Sequence, residues 1–409
     1  MTRRRVFVAG VGAVTSFADN WPESAAALWQ GRTAIRPVEH FDVEGFPCRV
    51  AAAVLSCSTS PTNGDRRLGM ALQAANQAWS MAHVSAPGDR IGVFIGAESG
   101  RASLAAVRDL TRAAGGGASF DHELFGENAR ALTSEIDAAR VSPAAVASTL
   151  AGTLGAQGPV LTLSVACASG AAAIVEAARA IELGVCDLAL AGGVGADVEP
   201  LMLIGFGKLG ALSERGVCCP FDVRRDGFVV GEGAAMLVLS HKAHALGVEL
   251  SGYARSLDAY HLTQPEPNGD GARRAMLGAL EKAQRTRVDY IQAHGTSTPL
   301  NDEVEASAIR QVFGDQTDTL PVSSVKGALG HWVAGAGALG LLCAIEAVTS
   351  GRVFPSVGLC EPDPRCRLAH VTKGSTLHVD SALSNAFAFG GVNASLVVER
   401  VSSRGQGAR

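Results

Sequence analysis

The chain has 409 residues, 47% of them hydrophobic and 18% charged, with 48 glycines and a formal net charge of −4. That is enough chain for one large core or two similar ones, because cores tend to split above about 250–300 residues. So balanced a charge carries no global signature of a nucleic-acid binder, and an acidic partner has to meet a local basic patch.

Nine cysteines include no C-x-x-C pair and no Cys/His cluster at zinc spacing. Neither a metal site nor a disulfide framework is therefore expected, and the chain reads as a protein of the reducing cytoplasm. The basic start Arg3-Arg4-Arg5 is followed by a segment broken at Gly10, Gly12 and Ser16, unlike a signal peptide. No apolar span of about 18 residues is expected anywhere in the chain, and so no membrane helix.

Residues 6–14 (VFVAGVGAV) read as a buried strand entering a glycine turn. Gly10 and Gly12 suggest a dinucleotide fingerprint, but its third glycine position holds Thr15 and no acidic residue closes a second strand. A tight strand-to-helix turn is the better reading. Residues 22–28 start a helix capped by Asn20, and residues 65–81 form another that opens with an exposed pair, Arg66-Arg67. A strand over 90–97 follows, then a stretch rich in glycine and charge, 114–135, that reads as a loop or lid.

A helix over 143–154 leads to an apolar strand at 160–165, a small polar turn, and a strongly helical run at 171–179. Cys167 falls where that strand hands over to the first turn of the helix. Free N–H groups and the positive end of the dipole favour an anion there, a setting that lowers a thiol's pKa. A buried, inert cysteine is the plainer alternative. Strands at 187–192 and 234–239 complete a first half. From about residue 251 the rhythm restarts. A strand at 288–293 ends at His294, one at 320–322 ends before Lys326, and a glycine-rich helix follows His331. Strands at 384–389 and 395–399 flank Gly390-Gly391. Alternating helices and continuous apolar strands indicate buried sheets covered on both faces. The halves, 1–252 with the cysteine and 253–409 with the histidines and lysine, suggest an internal duplication.

Each polar residue alone has an ordinary reading: a turn hydrogen bond, a solvated charge, a helix cap. Cys167, His294, Lys326 and His331 together, all beyond the carboxyl ends of strands, suit acyl-transfer chemistry.

Three motifs carry a family resemblance. Val165-Ala166-Cys167-Ala168-Ser169-Gly170, His294-Gly295-Thr296-Ser297-Thr298-Pro299 and Lys326-Gly327-Ala328-Leu329-Gly330-His331 resemble the active-site motifs of β-ketoacyl-[acyl-carrier-protein] synthases. Residues 8–12, 225–234, 258–261 and 385–393 match as well, so the likeness spans nearly the whole chain. It implies a thiolase fold, two duplicated βαβαβαββ halves in a five-layered αβαβα core, usually dimeric. It implies that Cys167 takes the acyl chain, with the N–H groups of Cys167 and Phe389 as oxyanion hole. His294 and His331 would hold the malonyl carbonyl, and Lys326 would be the fixed charge that organises them. Thr296 and Thr298 would bind the phosphopantetheine arm, with Gly390 and Gly391 as further substrate contacts beside the gating Phe389. Phosphopantetheine arrives on the carrier, so no metal or diffusible cofactor is implied.

The chain departs from the family pattern at several points. Gly340 stands where many members carry a glutamate, and Glu346, six residues on, lies on another helix face. Ala328-Leu329 replaces a more polar pair, and Trp332 is bulky. Residues 98–102, Arg101 among them, fall where members line the end of the acyl pocket. These changes favour a specialised polyketide or polyene pathway over housekeeping fatty-acid synthesis. A chain-length-factor-like subunit or a non-elongating acyltransferase are the alternatives. Arg66, Arg67 and Lys208 are expected to form the docking patch for an acidic carrier protein, and a homodimer or a heterodimer with a chain-length-factor-like subunit is expected.

Overall fold

The computed structural model describes residues 3–55, 65–100, 104–115, 117–131 and 141–401. Arg101 lies outside the described residues. In the first half, strand β1 (Phe7–Val14) is followed by helix α1 (Arg66–Ala82), β2 (Ile91–Gly96), α2 (Ala144–Leu154), β3 (Val160–Leu163), α3 (Ser169–Glu182), β4 (Leu188–Ala196) and β5 (Glu232–Ser240). The second half repeats the scheme with β6 (Val248–Leu257), α4 (Asp270–Lys282), β7 (Tyr290–Gln292), α5 (Pro299–Phe313), β8 (Pro321–Ser323), α6 (Ala336–Ser350), β9 (Ser381–Phe387) and β10 (Val392–Arg400).

Strand order shows the duplication directly. The first sheet runs β1-β5-β4-β2-β3 and the second β6-β10-β9-β7-β8, the same order shifted by five. The two meet where Phe7 and Val8 pair with Glu249 and Val248. Residue 252, the expected boundary between the halves, lies within strand β6.

Helices α1 and α2 cover the outer face of the first sheet, and α4 and α5 that of the second. Helices α3 and α6 pack on each other between the sheets, which completes five layers. Small residues make that central contact close: a Cβ on Gly337 would stand 2.8 Å from Ala171. Removing this much apolar surface from water is the main force holding the layers together.

Several elements differ from the sequence reading. Gly10 and Gly12 lie within β1, not at its end. A Cβ at either would come within 2.2 Å of a carbonyl of α1, so glycine here lets helix and sheet approach. Within 114–135, His122–Ala131 is helical, because the Asp121 carboxylate caps it by accepting from the N–H groups of Glu123 and Leu124. Gly126 disguised this helix in the sequence. One stretch, Val333–Ser350, does reach the apolarity of a membrane span, with a mean hydropathy of 1.6 over 18 residues. It is 83% buried and forms the central helix α6 with the turn before it, which explains its composition.

Candidate active site

The cysteine, the lysine and both histidines do converge. Strand β3 ends at Leu163, a single tight turn spans Ala166–Ala168, and α3 starts at Ser169, placing Cys167 at the helix mouth. Ala166 adopts φ +49°, an uncommon left-handed conformation for alanine, and this aims the sulfur inward. The sulfur lies 3.0 Å from His331 Nε2, and the Phe389 N–H favours its anion.

His331 is pinned from the first half of the chain. Its N–H donates to Val229 O at 2.8 Å, and its carbonyl accepts from Gly231 N–H at 3.0 Å. The motif at 225–234 thus acts as a splint between the halves. The His331 ring packs edge-on against Phe228 and His294, with centroids 5.1 and 5.5 Å away.

The tautomers follow from the donors around each ring. Val333 N–H donates to His331 Nδ1 at 3.2 Å, and Lys326 Nζ lies 3.4 Å from His294 Nδ1 while also donating to the His294 carbonyl. Both Nδ1 atoms accept, so both protons sit on Nε2. Burial, reinforced by the Lys326 charge, holds both imidazoles well below their ordinary 6.5. Two neutral Nε2–H donors therefore face the cavity.

The thiol does not behave as the helix dipole alone predicts. Burial pushes Cys167 up to about 12, against the pull of Lys326 and the Phe389 N–H. Desolvation of a buried sulfur anion outweighs the dipole, so the resting group is a thiol.

The loop from His294 to Thr298 contains Gly295 at φ +38° and Ser297 at φ +69°. Two buried carboxylates hold it, and neither was recognised from the sequence. Asp302 accepts from the N–H groups of Thr296 (2.9 Å), Ser297 (3.0 Å) and Phe221 (2.8 Å). Glu305 accepts from His294 (2.8 Å), Gly295 (2.7 Å) and Asn385 (3.1 Å). They sit three residues apart in the first turns of α5, a spacing that puts both on one helix face. Arg225, itself ion-paired to Asp363 at 2.6 Å, donates to the carbonyls of Thr298 and Pro299.

A cavity of about 290 Å³ opens over the sulfur. Thr296 and Thr298 line it, their hydroxyls 2.9 Å apart, with Phe389, Phe206 and Leu209 among its apolar walls. Gly390 and Gly391, expected as substrate contacts, do not line it. They form the turn behind Phe389, at φ +84° and +76°, with Gly390 N–H bound to Leu262 O.

The proposed basic patch does not form. Arg67 is buried, paired with Asp65 at 2.8 Å and donating to the Glu98 carbonyl. Arg66 is turned onto the buried Glu232 carboxylate and Val54 O. Lys208 alone of the three is exposed.

Residues 3–245 match the family described as "Beta-ketoacyl synthase, N-terminal domain", and residues 248–359 its C-terminal domain. The chain belongs to the β-ketoacyl synthase family. It is 33% identical to 3-oxoacyl-[acyl-carrier-protein] synthase 2 of Synechocystis sp., over 98% of this chain and 99% of that one. It is equally similar, 33%, to the same-named protein of Coxiella burnetii, over 98% and 100%. Among solved structures, a type II polyketide ketosynthase bound to a hexaketide and in complex with its acyl carrier protein superposes with a TM-score of 0.85. The identity there is 28%, over 98% of this chain and 100% of that one. The ishigamide ketosynthase/chain length factor gives 0.85 and 30%, with the same coverage. The thiolase fold and the condensing-enzyme class of this β-ketoacyl synthase follow.

Within that family the second half of the site has its own furnishing. Gly340 on α6 faces Ser384, whose hydroxyl a Cβ would approach to 2.9 Å and which is buried without a hydrogen-bond partner. A small cavity lined by Lys326, Gly340 and Asn385 lies there. Glu346 does not reach it: that carboxylate accepts from Trp21 Nε1 at 2.9 Å and pairs with Arg352. Among the charges that sustain protonated Lys326 against burial, Glu305 is foremost.

Proposed function

We propose that the chain is a β-ketoacyl-[acyl-carrier-protein] synthase that condenses a Cys167-bound acyl group with a malonyl group on a carrier protein, in a specialised polyketide or polyene pathway. The observation that carries this reading is the pair of Nε2–H donors beside the cysteine, one of them 3.0 Å from its sulfur.

In the first step, sulfur attacks the carrier thioester, the C–S bond to the carrier breaks, and the proton lost by Cys167 leaves with the carrier thiol. N–H groups of Cys167 and Phe389 receive the developing oxyanion, charge stabilisation that needs no reorganisation. In the second, the malonyl thioester carbonyl accepts from both histidines. The bond to its carboxylate breaks, carbon dioxide departs, and the electron pair remains as an enolate. The enolate carbon attacks the Cys167 thioester, giving a 3-oxoacyl carrier and expelling the sulfur as an anion, which takes a proton from water to restore the thiol. Lys326 keeps the His294 proton on Nε2 throughout. The phosphopantetheine arm lies along Thr296 and Thr298, and the reaction draws on no metal or diffusible cofactor.

Its setting is the cytoplasm, and its partner the acyl carrier protein. It assembles as a homodimer or with a chain-length-factor-like subunit. Strand β3, an edge strand with Val160 and Leu161 exposed, is the surface suited to pairing.

Intact-mass analysis after incubation with acyl and malonyl carriers tests the reading. Cys167→Ala gives no acylated protein, and His294→Ala acylates without forming 3-oxoacyl product. Acylated Cys167→Ala removes the nucleophile assignment. A parent protein that loads but never condenses is instead a non-elongating acyltransferase.

A further inference from the structure

The carboxylate of Glu98 lies behind the nucleophile. Strand β2 ends at Gly96, where a Cβ would stand 2.3 Å from Gly170 N, so sheet and helix touch at this point. Two residues later Glu98 reaches under the turn that carries the cysteine. Its Oε1 accepts from Ala166 N–H at 3.1 Å and its Oε2 from Ser164 Oγ at 2.7 Å, while Ser169 Oγ, 3.3 Å from Oε1, donates to the nearer Ala166 O at 2.6 Å. Ser169 Oγ in turn accepts from Val165 N–H at 2.9 Å. One carboxylate therefore grips the turn leading into Cys167 and holds the N–H of the residue in left-handed conformation. Glu98 is fixed from below by Arg67, which binds its carbonyl and is itself clamped by Asp65.

We propose that Glu98 is a positioning residue for the nucleophile, with the Asp65–Arg67 pair as its support. The inference rests on the reading of Cys167 as acyl acceptor. Charge-assisted hydrogen bonds are shorter and stronger than neutral ones, and here they stabilise a conformation that alanine rarely adopts. The same negative charge opposes ionisation of the nearby thiol.

The test compares Glu98→Ala and Glu98→Gln with the parent by two readouts. The first is the pH profile of Cys167 alkylation by iodoacetamide, followed on the Cys167 peptide. The second is acyl loading from an acyl carrier. Loss of the carboxylate charge moves the alkylation midpoint to lower pH in both variants. Loading kcat/KM falls by at least about tenfold in Glu98→Ala, because a misplaced nucleophile loses its attack geometry. Glu98→Gln recovers most of that loss, since an amide oxygen accepts from Ala166 N–H. An alkylation profile and loading rate unchanged in both variants overturn the proposal. Should Glu98→Ala fail to fold, Glu98→Gln still decides through its alkylation midpoint. A parent protein that loads acyl groups but never condenses refutes the condensing reading, while the loading rates of the Glu98 variants still decide the positioning role.

Discussion

Cys167 shows how a residue's local address and its tertiary surroundings can pull in opposite directions. At the mouth of α3 the dipole favours a thiolate, yet full burial costs the anion more than the dipole and Lys326 return. Reactivity then depends on donors that meet the charge as it forms, which is what His331 Nε2 and the Phe389 N–H supply. The histidines impose a pH dependence with a definite sign. Their folded pKa values lie well below 6.5, so below that pH the unfolded chain binds protons that the folded site refuses. Their contribution to stability is present above pH 6.5 and declines as pH falls. The neutral donors persist over the same range, so malonyl decarboxylation measured against pH has its acid limb below pH 6.5. An inflection at 6.5 itself would mean solvated imidazoles and contradict the burial of both rings.

At the scale of elements, α5 organises the loop before it. Asp302 supplies acceptors for three buried N–H groups and Glu305 for two more, together with the Asn385 amide. Asp302→Ala leaves those three donors unsatisfied, and each buried orphan costs about 1–3 kcal/mol. Denaturant unfolding should lose about 3 kcal/mol or more, and condensation should fall with it as Thr296 and Ser297 relax. These carboxylates were legible in principle, three residues apart after a proline-started helix. Sequence analysis passed over both, because nothing local shows which N–H groups they meet. Arg66 and Arg67 erred the other way. A charged pair at a helix start looks solvated until the buried Glu232 and the Glu98 carbonyl are seen across the fold.

For the molecule as a whole, the site exists only because the two halves interlock. Trp332, fully buried, donates to Leu329 O at 3.1 Å and packs where Gly195, Gly231 and Gly233 leave no room for a Cβ. Trp332→Ala empties that joint. Stability measured by denaturant should drop by about 3–5 kcal/mol, and condensation should fall further than acyl loading as His331 loses its place beside the sulfur.

The strand and helix rhythm, the turn bearing Cys167, and the placement of His294, Lys326 and His331 beyond strand ends were all readable from the chain, because apolar period and residue type are local properties. The motif order identified the family for the same reason. What needed the folded molecule was the protonation of the thiol, the tautomers of both histidines, the burial of Arg67 and the grip of Glu98 on Ala166. Each of these depends on desolvation and on partners that lie far away in sequence, and no periodicity encodes either.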